Sequence, residues 1–487
     1  MNDPHSSSLE LAYLSVEELM ARLDEGSLSS LHLVDVLFDR IAAIDTDDSV
    51  THLNAIASLA HDARAVALER DEERRRGVRR GPLHGIPVLV KDNIEALGLP
   101  GAAGSTALRG RAPRDAELVV RMREAGAIIL GSTNLSQWAN LRSVRSTSGF
   151  SATGGLVGNP WALDRSAGGS SSGSGAALAA GLAPLAVGTE TDGSIVCPAS
   201  VNGVAGLKPT VGVVPTSCVV PISSSQDSPG PMGRRVDDVA RLFAVLSNSS
   251  APADRSLRMI AATNWTTGHP HTDALFADVV ARLRSAGCEV ADRELAVPGE
   301  QEGRDELAVL LAEIYDDLGS YLRDRPGDGV RSLEDVIAYE DEHSELEQAY
   351  FGHDYLTAAV ATGGRRGEAY LGARQRNLDW AIETCLVPGL EGGDVIIAPA
   401  YGPSWKSDLA VGGHPGPASV ATMAPAIAGW PIMSVPIGLV QDLPVGLAII
   451  GRANDEWTIL QAARLVESVI NATDPLPRPL WRSPRRG

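Results

Sequence analysis

The residues best suited to chemistry lie in three short segments of the chain. Lys91 follows an apolar run in Val90-Lys91-Asp92-Asn93, and a glycine- and serine-rich loop spans residues 168–175. The third segment is Gly188-Thr189-Glu190-Thr191-Asp192-Gly193-Ser194-Ile195. A serine hydroxyl is a weak nucleophile until an adjacent base removes its proton. The segments supply hydroxyls and a candidate base, and they indicate an amide hydrolase built on serine and lysine.

Lysine is rare in this chain, which makes each lysine informative. Of 42 basic residues, only Lys91, Lys208 and Lys406 are lysines. A buried lysine can lose its proton and act as a base, whereas arginine stays charged. This difference favours a functional role for Lys91 at the end of its predicted strand. Lys406 lies in no motif, and we expect it at the surface.

Other catalytic and phosphate-binding designs fit the sequence poorly. None of the ten histidines lies in a nucleophile-like setting, and His84, before a predicted strand, is interpreted as structural. No nucleophile elbow of the α/β-hydrolase kind is predicted. A phosphate-binding loop needs Gly-Lys-Ser/Thr, but Gly175 is followed by Ala176. Glycine and serine often form flexible linkers, yet this loop leads directly into a small, apolar, helix-forming segment.

The composition predicts a globular protein without a cofactor. Lys+Arg 42 against Asp+Glu 61 gives a net charge of −19, whereas nucleic-acid binding requires a clustered positive field. The four cysteines have no C-x-x-C spacing and no nearby histidines, so neither a metal site nor a redox pair is predicted. We expect a small amide or peptide-amide substrate, no nucleic-acid or membrane partner, and a monomer or homodimer.

The first residues, Met1-Asn2-Asp3-Pro4-His5, contain neither a basic segment nor the apolar segment of a signal peptide. The chain also lacks an apolar run of about 18 residues, the length needed to span a membrane. These two observations predict a cytoplasmic protein.

Helices and buried strands must position the reactive segments. Ser15-Val16-Glu17-Glu18 is a capping box for a helix that ends at Gly26, and a second helix is capped by Ser29 or Ser30. A third helix is predicted over residues 54–76. Short apolar runs predict buried strands at 85–90, 127–130, 395–398, 432–436 and 447–451. Strands alternating with helices indicate an α/β core with a largely parallel or mixed sheet.

Changes in composition divide the chain into regions. Residues 131–233 are dense in Gly, Ser, Thr, Asn and Pro, and so long a loop-rich stretch is unusual unless it is functional. The segment after it is mostly helical and charged, with helices predicted over 306–322 and 334–350. The predicted regions are an N-terminal helical region (1–80), a core (81–240), a variable helical region governing substrate specificity (241–392), the C-terminal part of the core (393–473) and a loose tail (474–487).

Taken together, these motifs resemble the amidase signature enzymes over most of the chain. The resemblance rests on the paired N-terminal helices and on Gly85-Ile86-Pro87, Lys91-Asp92, Gly131-Ser132-Thr133-Asn134, the loop 168–175, Gly206-Leu207-Lys208-Pro209-Thr210 and residues 436–451. It implies a large mixed central sheet flanked by helices in a single compact catalytic domain.

The resemblance also implies roles for individual residues. In that family a lysine is the base, a later serine is the nucleophile, and an earlier serine, after a cis peptide bond, relays the proton. By motif position these are Lys91, Ser194 and Ser170, with the cis bond between Gly169 and Ser170. The implied oxyanion hole comprises main-chain N–H groups of Thr191, Asp192, Gly193 and Ser194. The implied substrate contacts are Asn140, Gly168 and Gly169.

The nucleophile segment departs from the commonest family pattern. That pattern has Asp, Gly and Arg where this chain has Glu190, Asp192 and Val196, and it often has Gly at Ser172. Residues 189–198 instead resemble bacterial peptide amidases, which remove the C-terminal amide from peptides, and segments 134–140 and 221–227 support that branch. Three alternatives stay open: an amidase for other small aliphatic or aryl amides, an amidotransferase subunit of the kind that makes glutaminyl-tRNA, and a non-catalytic binding protein on the same fold.

Three further residues near these motifs are interpreted as structural. Lys208 belongs to a motif shared across the resembled family and is expected to hold loops near the site. Asp227 is expected to organise a loop, and Cys197 is expected to be a buried thiol without a catalytic role.

Overall fold

The fold is given by a computed structural model that describes residues 9–46, 52–108, 110–327, 329–412, 420–473, 477–479 and 481. The N-terminal residues used to predict localisation, and most of the tail predicted to be loose, lie outside the described residues. Within the described ranges, no helix is long and apolar enough to cross a membrane.

Short strands are spread along the whole described chain. In chain order they are β1 (Ile56–Leu59), β2 (Pro87–Lys91), β3 (Ile128–Thr133), β4 (Phe150–Ser151), β5 (Gly155–Leu156), β6 (Gly158–Asn159), β7 (Ala162–Ser166), β8 (Leu185–Glu190), β9 (Ala205–Lys208), β10 (Ser228–Gly233), β11 (Arg258–Ala262), β12 (Glu289–Arg293), β13 (Val395–Pro399), β14 (Ile432–Val440) and β15 (Leu443–Ile450).

Helices lie between many of these strands. From Val16 onward they are α1 (Val16–Glu25), α2 (Ser30–Ile44), α3 (Ala63–Arg75), α4 (Glu117–Glu124), α5 (Ser172–Ala179), α6 (Val196–Asn202), α7 (Val236–Ser247), α8 (Pro270–Ser285), α9 (Glu300–Asp324), α10 (Leu333–Glu342), α11 (Ser344–Glu347), α12 (Asp354–Thr362), α13 (Glu368–Leu378), α14 (Val387–Gly389), α15 (Met423–Ala428) and α16 (Glu456–Thr473), with a 3₁₀ turn at Gln137–Asn140 and a π-helix at Asp379–Leu386.

Among the described residues, eleven strands form one mixed sheet in the order β1-β3-β2-β8-β10-β9-β14-β15-β13-β11-β12. β2 is parallel to β3 and β8, and β11 is parallel to β12 and β13, whereas the central pairs are antiparallel. β9 pairs with β14, so the early and late parts of the chain share one sheet. The prediction of an α/β fold with a large mixed sheet flanked by helices is confirmed.

The N-terminal helices begin and end at the predicted residues. Ser15 accepts a hydrogen bond from the Glu18 N–H, and the Glu18 carboxylate accepts one from the Ser15 N–H. Gly26, at φ 75°, ends α1, and Ser29 rather than Ser30 caps α2. These boundaries depend on local hydrogen bonds, which explains why the sequence alone predicts them.

The helix predicted over residues 54–76 is wrong in its first part. Residues 56–59 form β1 at one edge of the sheet, and only Ala63–Arg75 is helical. Asp45 accepts the N–H groups of Ala55 and Ile56, and Ile56 then pairs with Thr133 on β3. This strand depends on partners distant in the sequence, which local periodicity does not reveal.

Two other expectations also change. The helix predicted over 334–350 divides at His343 into α10 and α11. The region 241–392 also contributes β11 and β12 to the sheet. Each difference reflects a contact or break that charge pattern alone does not specify.

The segment 131–233 is more regular than its composition predicts, because it contains strands β8, β9 and β10 and helices α5 and α6. Small residues in this segment allow its elements to pack closely against each other. A Cβ added to Gly173 would lie 2.3 Å from the Ala55 carbonyl oxygen, and one on Gly175 would lie 2.8 Å from that of Pro198. The glycines let α5 approach neighbouring main chains, and the segment positions most of the candidate active site.

Candidate active site

Lys91 and Ser170 meet beneath the glycine-rich loop. Lys91 is the last residue of the fully buried strand β2, and Ser170 follows a cis Gly169–Ser170 peptide bond just before α5. The Lys91 Nζ lies 2.7 Å from Ser170 Oγ, and both residues are fully buried. The structure therefore brings together two of the three residues to which the sequence assigned catalysis.

Burial changes the protonation of Lys91. Loss of solvent lowers the pKa of Lys91 to about 7, although the negative charges of Asp227 and Glu190 oppose this shift. A neutral amine can accept a proton at near-neutral pH, which a guanidinium cannot. The site thus has the electrostatic property required of a lysine base.

Thr189 and Asn93 complete the surroundings of Lys91. The hydroxyl of Thr189 lies 2.9 Å from Nζ, and the Thr189 carbonyl oxygen accepts a hydrogen bond from Nζ at 3.2 Å. The Asn93 side-chain amide donates to the Thr189 hydroxyl at 3.0 Å. The lysine nitrogen is consequently held by three oxygen atoms, one of which belongs to Ser170.

Ser194 lies in the turn between β8 and α6. The carboxylate of Glu190 accepts the main-chain N–H groups of Ile195 at 2.6 Å and Val196 at 2.8 Å. This cap fixes the start of α6 and thereby the turn that carries Ser194. It also explains the acidic residue before the turn, a role that the sequence analysis did not assign.

The main chains of the two serine segments are joined, since the Ser171 N–H donates to the Ser194 carbonyl oxygen at 3.1 Å. Within the described part of the chain, no hydrogen bond links the Ser170 and Ser194 hydroxyls. Hydrogen bonds used in catalysis often tighten only when substrate is bound. Ser194 is 8% exposed, whereas Ser170 is fully buried, so substrate has access to Ser194.

The segment predicted as the oxyanion hole carries unused main-chain donors. Among the described residues, none accepts a hydrogen bond from the N–H groups of Asp192, Gly193 or Ser194. Thr191 donates through its hydroxyl to Asp227 at 2.6 Å, and Asp227 also accepts the N–H groups of Ile222 and Ser223. Asp227 has the loop-organising contacts expected of it, and burial raises its pKa to about 6.

Residues from the C-terminal part of the chain hold the other side of this segment. The Thr422 hydroxyl opposes the rise in the pKa of both Asp192 and Tyr401 that burial causes. Gly193 has a φ of +73°, and a Cβ added there would lie 2.5 Å from the Tyr401 hydroxyl oxygen. The sequence analysis missed Tyr401 and Thr422 because neither belongs to a motif near the reactive serines.

A cavity of about 290 Å³ opens onto Ser194. Asn140 and Gly169, two of the predicted substrate contacts, line it together with residues of the oxyanion segment. Gly168 instead packs against α6, where an added Cβ would lie 3.0 Å from Cys197 Sγ. The other lining residues are Ala139, Leu141, Ser148, Cys197, Ile222, Leu310, Tyr401 and Trp405.

The remaining lysines and His84 occupy different settings. Lys208 is fully buried and donates to the Trp430 carbonyl oxygen at 3.0 Å, and burial lowers its pKa to about 8. Lys406 has a side chain that is 72% exposed, as expected. His84 is buried and bonds to the Arg70 carbonyl oxygen, consistent with a structural role.

All four cysteines are free thiols, and Cys197 is buried. In the described ranges, no group of His, Cys, Asp and Glu is arranged to hold a metal ion.

Known proteins share this architecture. The chain matches the family described as Amidase over residues 32–460. Native peptide amidase from Stenotrophomonas maltophilia is 38% identical, with a TM-score of 0.87 over 96% of this chain and 99% of that chain. An amidase family protein from Bacillus anthracis str. Ames is 27% identical, with a TM-score of 0.85 over 97% and 94%. A glutamyl-tRNA(Gln) amidotransferase subunit from Symbiobacterium thermophilum is 32% identical over 94% of this chain and 96% of its own length.

Proposed function

The chain belongs to the amidase signature family, hydrolases of amide C–N bonds, and we propose that it removes the C-terminal amide of peptides, giving a free acid and ammonia. The observation that carries the proposal is the 2.7 Å contact between buried Lys91 and Ser170, beside the accessible Ser194. The likeness to peptide amidase over almost the whole chain supports the substrate class.

The proposed reaction begins with two proton transfers. Neutral Lys91 takes the proton of Ser170, which takes that of Ser194, and Ser194 Oγ attacks the carboxamide carbon. The negative oxygen of the tetrahedral intermediate accepts hydrogen bonds from the main-chain N–H groups of residues 191–194. As the C–N bond breaks, Ser170 returns a proton to the departing nitrogen and regains one from Lys91, and ammonia leaves.

Hydrolysis of the acyl-enzyme completes the cycle through the same residues. A water molecule gives a proton to Ser170, which passes one to Lys91, and its oxygen attacks the ester carbon. When the C–O bond to Ser194 breaks, Ser194 recovers its proton from Ser170, and Lys91 becomes neutral again. No external acid or base is consumed.

Helix α9 supports a role for the region 241–392 in substrate selection. Leu310 on this helix lines the cavity at Ser194, and Glu306 accepts a hydrogen bond from Gln226 at 3.0 Å on the adjoining loop. We propose that this region shapes the part of the cavity that receives the acyl portion of the substrate.

A panel of peptide amides, free peptides, anilides and short aliphatic amides tests the proposed function. Mass spectrometry is expected to show carboxamide converted to carboxylate in the peptide amides, with equimolar ammonia and no internal cleavage. Ser194→Ala and Ser170→Ala are expected to abolish turnover, while Lys406→Ala at the surface is the matched control. If only anilides or aliphatic amides are cleaved, the enzyme is an amidase for small amides and the peptide-amide proposal is wrong. Full activity in Ser194→Ala would refute the mechanism.

The identity to an amidotransferase subunit favours one second candidate, a glutaminase that passes ammonia to a partner subunit. That function predicts glutamine hydrolysis that rises when the partner is added. Asp192 and Val196 stand where the commonest family pattern has Gly and Arg, and this difference argues for the peptide amidase. Comparing the hydrolysis of free glutamine with that of peptide amides separates the two candidate functions.

A further inference from the structure

One wall of the cavity at Ser194 is formed by residues 137–142, which we call the wall segment. Residues 139–141 line the cavity, and residues 138–140 have φ values of 49°, 50° and 76°. This left-handed region is unfavourable for any residue that carries a Cβ, so consecutive residues remain in it only where surrounding contacts enforce it. The shape of this wall therefore depends on groups outside the wall segment.

The carboxylate of Glu340, a fully buried residue on helix α10, is one of those groups. One of its oxygens accepts the indole N–H of Trp138 at 2.7 Å and the side-chain amide of Gln137 at 3.3 Å. The other oxygen lies 3.5 Å from the guanidinium of Arg142 and 2.9 Å from Nδ1 of His353. Three of these four partners belong to the wall segment, and a buried carboxylate makes strong hydrogen bonds to such donors.

Glu347 on helix α11 also holds the wall segment. Its carboxylate accepts the Gln137 side-chain amide at 2.6 Å, the Thr106 main-chain N–H at 2.7 Å and the Ser105 hydroxyl at 3.1 Å. Arg142 donates to the Glu347 carbonyl oxygen, and it donates to the side-chain carbonyl oxygen of Gln137 at 2.9 Å. Two helices of the variable region are thus bonded to the wall segment at several atoms.

Apolar packing connects the same parts of the chain. Trp138 and Leu141 of the wall segment belong to one buried apolar cluster with Leu333 and Val336 of α10 and with Leu356 of α12. Hydrogen bonds and apolar contacts therefore agree that the wall segment is supported by the variable region.

The reactive groups have other supports. Thr189 holds the amine of Lys91, and the Glu190 carboxylate caps the turn that carries Ser194. Within the described ranges, Glu340 forms no hydrogen bond with any of these residues. A change at Glu340 is thus expected to alter the wall of the cavity while the reactive groups stay in place.

We propose that Glu340 is a positioning residue that sets the specificity for the acyl portion of the substrate, by holding the wall segment in its left-handed conformation. The acyl carbon becomes bonded to Ser194, so the acyl portion must occupy the cavity that opens there. This inference rests on the proposed function and deepens it, since it names a residue of the variable region that controls which acyl groups are accepted.

Two primary amides that release ammonia and differ in their acyl portion test the inference. Acetamide offers the cavity one methyl group, whereas N-acetyl-leucinamide offers a branched side chain and a main-chain amide. In Glu340→Ala, kcat/KM for N-acetyl-leucinamide is expected to fall at least about 10-fold, mainly through a higher KM, because the wall loses its support. The change for acetamide is expected to stay within about 3-fold, because its small acyl group depends little on the wall.

The conservative variant separates positioning from general stability. Glu340→Gln keeps one oxygen that can accept the Trp138 indole, so we expect a smaller loss of the N-acetyl-leucinamide to acetamide ratio than in Glu340→Ala. Glu342→Gln changes an exposed carboxylate at the end of α10 and is the matched control, with an unchanged ratio. An equal loss for both amides in Glu340→Ala, or no loss for either, would overturn the inference.

Trp138→Phe examines the same contact from the other partner. It removes the indole donor and keeps an aromatic ring in the apolar cluster, and it is expected to lower the ratio several-fold. In the double variant with Glu340→Ala, the loss should be smaller than the product of the single losses, because both changes remove one hydrogen bond. An unchanged ratio in Trp138→Phe would overturn the inference, and this variant decides the question if neither Glu340 variant folds.

The design also separates this inference from the proposed function. If wild-type enzyme cleaves acetamide but not N-acetyl-leucinamide, the peptide-amide proposal fails, and hexanamide replaces the peptide amide in the same comparison. If wild-type enzyme cleaves no amide, the affinities for hexanamide and acetamide, measured by calorimetry, replace kcat/KM. In either case a selective loss for the longer amide in Glu340→Ala supports the inference, and an unchanged ratio refutes it.

Discussion

Thr189 presents two oxygen atoms to the side-chain nitrogen of Lys91. Its hydroxyl lies 2.9 Å and its carbonyl oxygen 3.2 Å from Nζ, and Ser170 Oγ is the third neighbour at 2.7 Å. A neutral amine has two N–H groups and one lone pair. If both N–H groups are donated to Thr189, the lone pair faces the Ser170 hydroxyl, which is the orientation that proton abstraction requires.

Removal of the Thr189 hydroxyl should disturb this orientation. In Thr189→Val, of similar shape, we expect kcat to fall about 10–100-fold with little change in KM, because the base is misaligned while the cavity is intact. Thr189→Ser keeps the hydroxyl and should recover most of the rate. A loss of the same size in both variants, accompanied by a lower melting temperature, would indicate a purely structural role.

Replacement of Lys91 by arginine separates charge from basicity. Lys91→Arg keeps a positive charge but has no removable proton near neutral pH, so we expect kcat/KM to drop by about 10²–10⁴-fold. Lys91→Met, which removes the charge, should be similarly inactive. Steady-state assays measure kcat/KM, and circular dichroism verifies that the variants are folded. An active Lys91→Arg enzyme would exclude Lys91 as the catalytic base.

The pH dependence follows from the depressed pKa of Lys91. Only the neutral lysine can act as the base, so kcat/KM should rise with pH and level off above about 7. The Asp227 carboxylate raises the pKa of Lys91, and therefore Asp227→Asn should move the rising limb to lower pH. The test is to measure kcat/KM against pH for both enzymes with one substrate. A shift of the rising limb to higher pH in Asp227→Asn would contradict the assignment of Lys91 as the base.

Gly193 and Tyr401 should show coupled effects. Gly193→Ala places a Cβ 2.5 Å from the Tyr401 hydroxyl oxygen and requires a left-handed alanine, so activity should fall at least about 10-fold. Tyr401→Phe removes that oxygen and leaves the next ring atom at 3.6 Å, an ordinary contact. The double variant should regain several-fold of the lost kcat/KM. If the fold-losses in kcat/KM of the two single variants simply multiply in the double variant, the proposed steric contact between residues 193 and 401 would be contradicted.

Cys197 should be unreactive despite lining the cavity at Ser194. Burial raises the pKa of its thiol to about 12, which leaves almost no thiolate at neutral pH. Iodoacetamide at neutral pH should therefore leave Cys197 unmodified and the activity intact, as followed by peptide mapping and assay. Rapid alkylation of Cys197 with parallel inactivation would show that the thiol is accessible and ionised.

The sequence by itself determined the features that depend on local chemistry. The capping box at Ser15 and the stop at Gly26 follow from hydrogen bonds within a few residues. The rarity of lysine and the setting of Lys91 at the end of a buried strand identified a candidate base. Buried strands keep an apolar character in any order of pairing, so several of them were predictable, whereas the large mixed sheet was implied by the resemblance to the amidase signature enzymes.

Tertiary structure decided which distant groups complete the site. Tyr401 and Thr422 reach the oxyanion segment from the far end of the chain, and β1 exists because β3 is there to pair with it. Such contacts join residues far apart in sequence, and their geometry depends on how the sheet brings those segments together.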